Sequence, residues 1–316
     1  MNRRAFLAGP AVLAACGSRR KKQIAVIPKS VAHIFWVSVH AGVAAAADQY
    51  NLEVIWNGPT TEADSTRQIQ IVDSMIAQQV DGIALAANER TALVGCVDRA
   101  VAAGIPVTIF DSGLDSTNFM SWVGTDNIEA GRLGARHLAR LLKGKGDVAV
   151  LLHAPGSVST LDRENGFREV IEKEFPAIKI VATQFGLGDR AKARAGAENI
   201  LAAYPALNGF FASTEPSAVG VSLAIKARGL AGKIKFVGFD SADVMLEDLR
   251  NGVLDATVIQ DPFTMGFETV RTLALKLSGQ TPPKRIDLRA RVITKNDLDD
   301  PAVNRLLHPD LSKVRG

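Results

Sequence analysis

At 316 residues, with 47% hydrophobic and 6% aromatic content, the chain is long enough for two domains, each with its own core. Its formal charge of +4 comes from 37 basic against 33 acidic residues. That near-balance excludes a nucleic-acid binder, which needs a strongly basic surface.

The chain opens MNRRAFLAGPAVLAAC, with Arg3 and Arg4, a short apolar run and small residues leading to Cys16. The run is too short to span a bilayer and reads as a signal peptide over 1–15. RRAFL resembles a twin-arginine export signal, and LAAC at 13–16 resembles the lipobox of bacterial lipoproteins. The expectation is export, cleavage before Cys16, lipidation of Cys16 and a periplasmic or extracytoplasmic location on the membrane. Residues 16–22 then form a tether, whose Arg19, Arg20, Lys21 and Lys22 lie near anionic headgroups. Cys96, in the helical stretch TALVGCVDRAV, reads as a small core residue rather than a disulfide partner.

From Gln23 the chain alternates short apolar runs with amphipathic stretches. Strand-like IAVIP leads to helical FWVSVHAGVAAAADQY, strand LEVIW, helical TRQIQIVDSMIAQQ, strand GIALA, helical ALVGCVDRAVAAG and strand PVTIF. Gly104 followed by Ile105-Pro106 marks a helix stop. The rhythm restarts after SWVGTDN, with strands DVAVLL, IKIVATQ, NGFFAS and KIKFVGF separated by helical stretches, among them RENGFREVIEKEF. DATVIQ, a helix through FTMGFETVRTLALKLSG and an extended RIDLRARVIT complete it. Repeated strand–helix units predict α/β lobes with parallel sheets covered on both faces.

Phe-Asp-Ser ends an apolar run twice, at Phe110-Asp111-Ser112 and Phe239-Asp240-Ser241. Ligands of open parallel sheets bind beyond the carboxyl ends of strands, where both aspartates fall. The alternative is that each Asp caps the following helix. Two carboxylates facing one cleft suit a polyhydroxylated ligand, since each accepts two hydroxyl hydrogen bonds.

With IPKSVAHIFWVSVHAGV, AGIPVTIFDSG, VGTDNIEAGRLGA, KFVGFDS and GVLDATVIQDPFTMG in this order, the chain resembles type I periplasmic substrate-binding proteins of ABC sugar importers, the ribose/galactose-binding class. The resemblance spans about residues 23–295. It implies two Rossmann-like lobes joined by three hinge crossovers, an N-terminal lobe of 23–124 plus 262–287 and a C-terminal lobe of 125–261 plus 288–316. It also implies a monomer that hands a monosaccharide or related small polyol to a permease and ATPase of the inner membrane, with no cofactor, metal or catalysis.

The same resemblance carries over site residues. Phe35 and Trp36 match the family's sugar-stacking aromatics, with His33 where an asparagine is usual. Asp111, Asp240 and Gln260 match ligand residues, whereas Ser112 stands where many relatives have an arginine. Asn88 is offset by about two positions from the family's strand-three asparagine. Arg163, in a loop reading STLDRENGF, is offset from the family's ligand arginine, and Thr214-Glu215 replaces an Asn-Asp pair. VIPK resembles the opening of the furanosyl autoinducer- and rhamnose-binding branch, where the lysine corresponding to Lys29 contacts ligand. Lys29, His33, Arg163 and Glu215 leave a neutral and an acidic sugar both open.

A Lac-repressor-type regulator shares the lobes but requires an N-terminal helix-turn-helix, for which the residues before Gln23 are too few. An enzyme on a doubly wound fold lacks support: PKSVAHIF after the first strand has no dinucleotide glycines, KGKGD is no phosphate loop, and no G-x-S-x-G or H-E-x-x-H is present. A sensor that docks on a chemoreceptor or sensor kinase has the same sequence features as an importer component.

Overall fold

The structure is a computed structural model that describes residues 20–314. The export segment and Cys16 lie outside the described residues. No helix among the described residues is long and apolar enough to cross a membrane.

Two six-stranded sheets organise the described residues. The first is built from β1 (Lys22–Ile27), β2 (Leu52–Trp56), β3 (Gly82–Leu85), β4 (Val107–Phe110), β5 (Ser121–Thr125) and β11 (Arg285–Leu288). Its order is β11-β5-β4-β3-β1-β2 and every pairing is parallel. The second comprises β6 (Gly146–Leu152), β7 (Ile178–Phe185), β8 (Gly209–Ala212), β9 (Lys235–Phe239), β10 (Ala256–Ile259) and β12 (Arg291–Thr294). Its order, β12-β10-β9-β8-β6-β7, matches the first, but β12 runs antiparallel to β10. Strands β3, β4, β8, β9 and β10 are apolar along nearly their whole length because both of their faces are covered.

In the first lobe, α1 (Ile34–Tyr50) and α9 (Pro262–Leu277) cover one sheet face, and α2 (Ser65–Ala77) and α3 (Val94–Ala102) cover the other. Cys96 lies in the α2–α3 core, 1% exposed. In the second lobe α4 (Asn127–Leu141) and α5 (Val158–Glu174) cover one face. The other is covered by α6 (Arg190–Ala203), α7 (Glu215–Ala227), α8 (Asp243–Asn251) and α10 (Pro301–Leu307).

The chain passes between the sheets at Asp126, at Gln260-Asp261 and at Arg289-Ala290. The first two crossings end in helix caps: Asp126 accepts from the Glu129 N–H and Asp261 from the Thr264 N–H. The third divides the extended RIDLRARVIT, whose halves join different sheets. A bond from the Asp126 N–H to the Leu288 carbonyl ties two crossings together. Both lobes therefore present the carboxyl ends of their strands to one shared cleft.

Candidate functional site: a polar cleft between the lobes

Each Phe-Asp-Ser copy ends a strand with a reversal of backbone hand. Asp111 has φ 56° and Asp240 φ 64°, in the left-handed region that costs a side-chain-bearing residue energy. Each donates its N–H to the neighbouring strand, Asp111 to Val123 and Asp240 to Val258. The last ladder bond is thus made before the chain turns, and the carboxylate is directed into the cleft. Neither Asp caps a helix: the residue at the start of α8 is Ala242, and no helix follows Asp111 closely.

The preceding phenylalanines brace the site from behind. Phe110 meets Trp36 edge-on, with ring centroids 6.2 Å apart, and Trp36 meets Phe35 likewise at 5.0 Å. Phe239 lies under Arg163, whose guanidinium carbon is 3.4 Å from the ring centroid. Arg163 is 2% exposed. It donates to the Ser213 carbonyl at 2.6 Å and to Asn127 Oδ1 at 2.9 Å. Burial pulls its proton affinity down, against the charges of Asp240 and Asp111. Arg163 does not sit in a loop. Helix α5 begins at Val158, so Arg163 is in its second turn, and the first turn brings Ser159 and Thr160 to the cleft.

Ser157, at the start of α5, makes no side-chain cap bond, and its hydroxyl accepts from Lys29. The Lys29 ammonium lies at the end of β1, 3% exposed. It contacts Asp111 Oδ2 at 3.1 Å, Ser157 Oγ at 3.1 Å and Ser159 Oγ at 2.9 Å. It donates to both serines of the second lobe while its charge pairs with Asp111 of the first, and Lys29 thereby links the two lobes.

Gln260 sits on a crossing and joins hinge to site. Its Oε1 accepts from Thr125 at 2.6 Å, and its Nε2 donates to Asp240 Oδ1 at 2.7 Å. Burial pushes the Asp240 carboxyl above the usual range, with Asp111 adding to this and Arg163 and Gln260 opposing it.

At the opposite end, His33 occupies the N-cap position of α1 with Nδ1 3.8 Å from Glu215 Oε2. Glu215 opens α7, directly after Thr214, and its other oxygen accepts from Arg190. Burial raises the Glu215 carboxyl, against Arg190 and His33. Glu215 Oε2 is buried with no hydrogen-bond partner in the structure.

These groups line a cleft with about 420 Å³ of space between atoms, part of it open to solvent. It gathers every residue expected from the sequence except Asn88 and Ser112. Ser112 is fully buried behind it, where its hydroxyl accepts from the Ser159 N–H across the lobe boundary. Asn88 is 5% exposed and outside the lining, its side-chain atoms unpartnered; Gln68 accepts its backbone N–H.

Glu62, His153, Ser159, Thr160 and Pro216 also line the cleft and escaped the sequence reading. Glu62 accepts from Trp36 Nε1 at 2.8 Å and lies 3.0 Å from His153 Nε2 on the other lobe. Burial alone would raise the Glu62 carboxyl. The bond and charge of His153, with Lys29 and His33, hold it instead far below the ordinary range. His153 directly follows apolar β6, as Asp111 follows β4, and that position was the available signal. Glu62 lies in the polar loop TTEAD and carried none.

The family model described as periplasmic binding protein domain matches residues 24–281. The chain is 30% identical over 275 residues to a D-ribose/D-allose-binding protein of Pseudomonas aeruginosa, covering 84% of this chain and 86% of that one. A carbohydrate transporter solute-binding protein from Agrobacterium radiobacter, solved with D-arabinose, superposes with a TM-score of 0.89 at 31% identity, covering 92% of this chain and all of the other. A solute-binding protein from Agrobacterium vitis with bound D-fucose gives 0.88 at 34% identity, covering 90% and 100%. With the lobes, the crossings and the cleft in place, this chain belongs to the periplasmic binding protein family, among the sugar-binding proteins of ABC importers rather than the enzymes.

Proposed function

We propose that the protein captures a neutral monosaccharide or related small polyol between its lobes and delivers it to the permease and ATPase of an ABC importer. In this reading it works as an exported monomer held to the membrane by a lipid on Cys16. The observation that carries the binding reading is the matched pair Asp111 and Asp240. Both have the same unusual backbone, both end a buried strand, and both line one cleft with aromatic rings beside them. Carboxylates accept the hydroxyls of a sugar rim, and Phe35 and Trp36 offer an apolar surface to its C–H face.

Charge favours a neutral ligand. Lys29, Arg163 and Arg190 are each already bonded within the protein, which leaves no lysine or arginine among the described residues of the cleft free to receive a carboxylate or phosphate. The unpartnered Glu215 Oε2 is an acceptor waiting for a hydroxyl donor. Ligand touching both lobes favours their closed arrangement, the form a permease would read.

The test is calorimetric titration of the mature protein with D-ribose, D-allose, D-arabinose, D-fucose, ribitol and D-galacturonate. A neutral sugar or ribitol should bind and D-galacturonate should not. Asp111→Ala and Asp240→Ala should each weaken binding at least about 100-fold, since two charge-assisted hydrogen bonds are lost, while retaining a cooperative melt. Tight binding by both variants would overturn the site.

A further inference from the structure

A second chamber, with about 520 Å³ of space between atoms that is partly open to solvent, adjoins the sugar cleft, and the two share Phe35, Asp240 and Gln260. Its walls come from the first turns of α1, with Ile34 and Ser38, and from the β9–α8 turn, with Ser241, Ala242 and Asp243. Leu306 and Leu307 of α10 also line it. It continues into a wider space bounded by residues 307–312, which reaches Arg190. The chain after α10 crosses from one lobe toward the other. Helix α10 packs on the second-lobe core through Val303, Leu306 and Leu307, and Lys313 pairs with Asp48 of α1 in the first lobe. The C-terminal segment therefore borders this side of the cleft and ties the lobes together.

Capture of a single sugar ring leaves this chamber unused. Its volume is similar to that of the first cleft, and Asp240 and Phe35 stand at the junction. One wall is apolar, and Ile34 remains 40% exposed there. Ser38, Ser241 and Asp243 supply polar groups. Apolar surface beside hydrogen-bonding groups is what a second sugar ring or an alkyl or aryl group attached through oxygen requires. Asp240, Asp243 and Asp310 border the two spaces, and Arg190 is committed to Glu215, so an acidic substituent is disfavoured.

We propose that this chamber is a second subsite, which receives the aglycone or second sugar unit of a neutral glycoside whose first ring occupies the main cleft. The inference rests on the capture reading above. The substituent passes between Phe35 and Asp240, and the C-terminal segment closes over it.

Calorimetry with the methyl and p-nitrophenyl glycosides of D-ribose, D-allose, D-arabinose and D-fucose tests it. For an aldose that binds, at least one glycoside should bind as tightly as the parent or within about threefold. Ser38→Trp, which fills the chamber without touching the main cleft, should weaken the glycoside at least tenfold and leave the parent aldose within twofold. Ile34→Asp alters an exposed residue that the fold tolerates, and should act in the same direction. Deletion of residues 308–316 removes a tie between the lobes as well as the cover of the chamber, and should speed dissociation of the glycoside more than that of the parent. If the parent aldose binds but every glycoside is more than tenfold weaker, the second subsite is wrong and the capture reading stands. If no parent aldose binds, the capture reading itself fails.

Discussion

Asp240 and Glu62 line the same cleft, and burial acts on their proton affinities in the same direction, but the net effects are opposite. The Asp240 carboxyl is raised by burial, with too little opposition from Arg163 and Gln260. A carboxyl raised above its unfolded value contributes stability below the unfolded pKa and loses it as pH rises through the folded pKa. Ionised Asp240 therefore costs the empty protein stability at neutral pH. Asp240→Asn, which keeps an acceptor for Gln260, should raise the ligand-free melting temperature by a few degrees and weaken sugar binding. Glu62 is held low by His153, Lys29 and His33, so its contribution is present above the unfolded pKa and is lost as pH falls through the folded one. Glu62→Gln should lower the melting temperature at pH 7, and the difference from wild type should shrink in acid. Calorimetric melts of both variants from pH 2.5 to 8 check the signs, the Glu62→Gln difference narrowing only below the ordinary carboxylate value of 4.5, and equal shifts in one direction would contradict them. The two also differ in legibility. Asp240 shows in the sequence because a carboxylate after an apolar strand has a fixed position in a parallel sheet. Glu62 is placed only by the indole of Trp36 and the imidazole of His153, a tertiary fact with no local trace.

Helix pairs hold these residues at the cleft, and each lobe uses the same contact. A Cβ added to Gly42 of α1 would lie 1.9 Å from the Phe263 carbonyl oxygen, and one on Gly266 of α9 would lie 2.1 Å from that of Val39. In the second lobe a Cβ on Gly131 of α4 would lie 1.9 Å from the Arg163 carbonyl oxygen, and one on Gly166 of α5 would lie 2.0 Å from that of Ile128. Backbone rather than a movable side chain opposes the added carbon, so the helices must separate, at a cost of about 1–3 kcal/mol or more. Gly131→Ala pushes directly on the residue that carries the guanidinium. It should lower the melting temperature and weaken sugar binding together; unchanged affinity in calorimetry would show that Arg163 is not positioned through this crossing. Such contacts were not readable in the sequence, because a glycine inside a helical run only lowers propensity and its partner is distant along the chain. The strand–helix order and both aspartates were readable, since apolar runs of strand length between amphipathic stretches admit little else. The start of α5 was not. Ser157 stands at the cap position, but Ser159 and Thr160 are rival cap residues two and three positions on, and in the fold the Ser157 hydroxyl bonds Lys29 instead of capping.

Across the whole molecule, contacts that cross the cleft decide how often the lobes meet. Lys29 reaches Ser157 and Ser159, Glu62 meets His153, and the Ser159 N–H reaches Ser112. His33 and Glu215 face each other more distantly. Among these Lys29 has the largest leverage, because its charge is deeply buried and offsets Asp111 in its own lobe while its protons bond the other lobe. Lys29→Met removes the crossing bonds and leaves Asp111 buried without its cation, a change that typically costs about 3–5 kcal/mol. The lobes then gain by parting, since opening returns the carboxylate to water. Small-angle scattering of ligand-free Lys29→Met should therefore give a larger radius of gyration than wild type, and sugar affinity should fall at least about 100-fold. The double variant Lys29→Met/Asp111→Asn separates the two roles. With no charge left unpaired, its radius of gyration should return toward wild type, while its affinity stays low because a neutral amide with one acceptor oxygen replaces the charged carboxylate with two. A single variant with wild-type radius and wild-type affinity would mean that Lys29 fills space at the cleft without holding it closed.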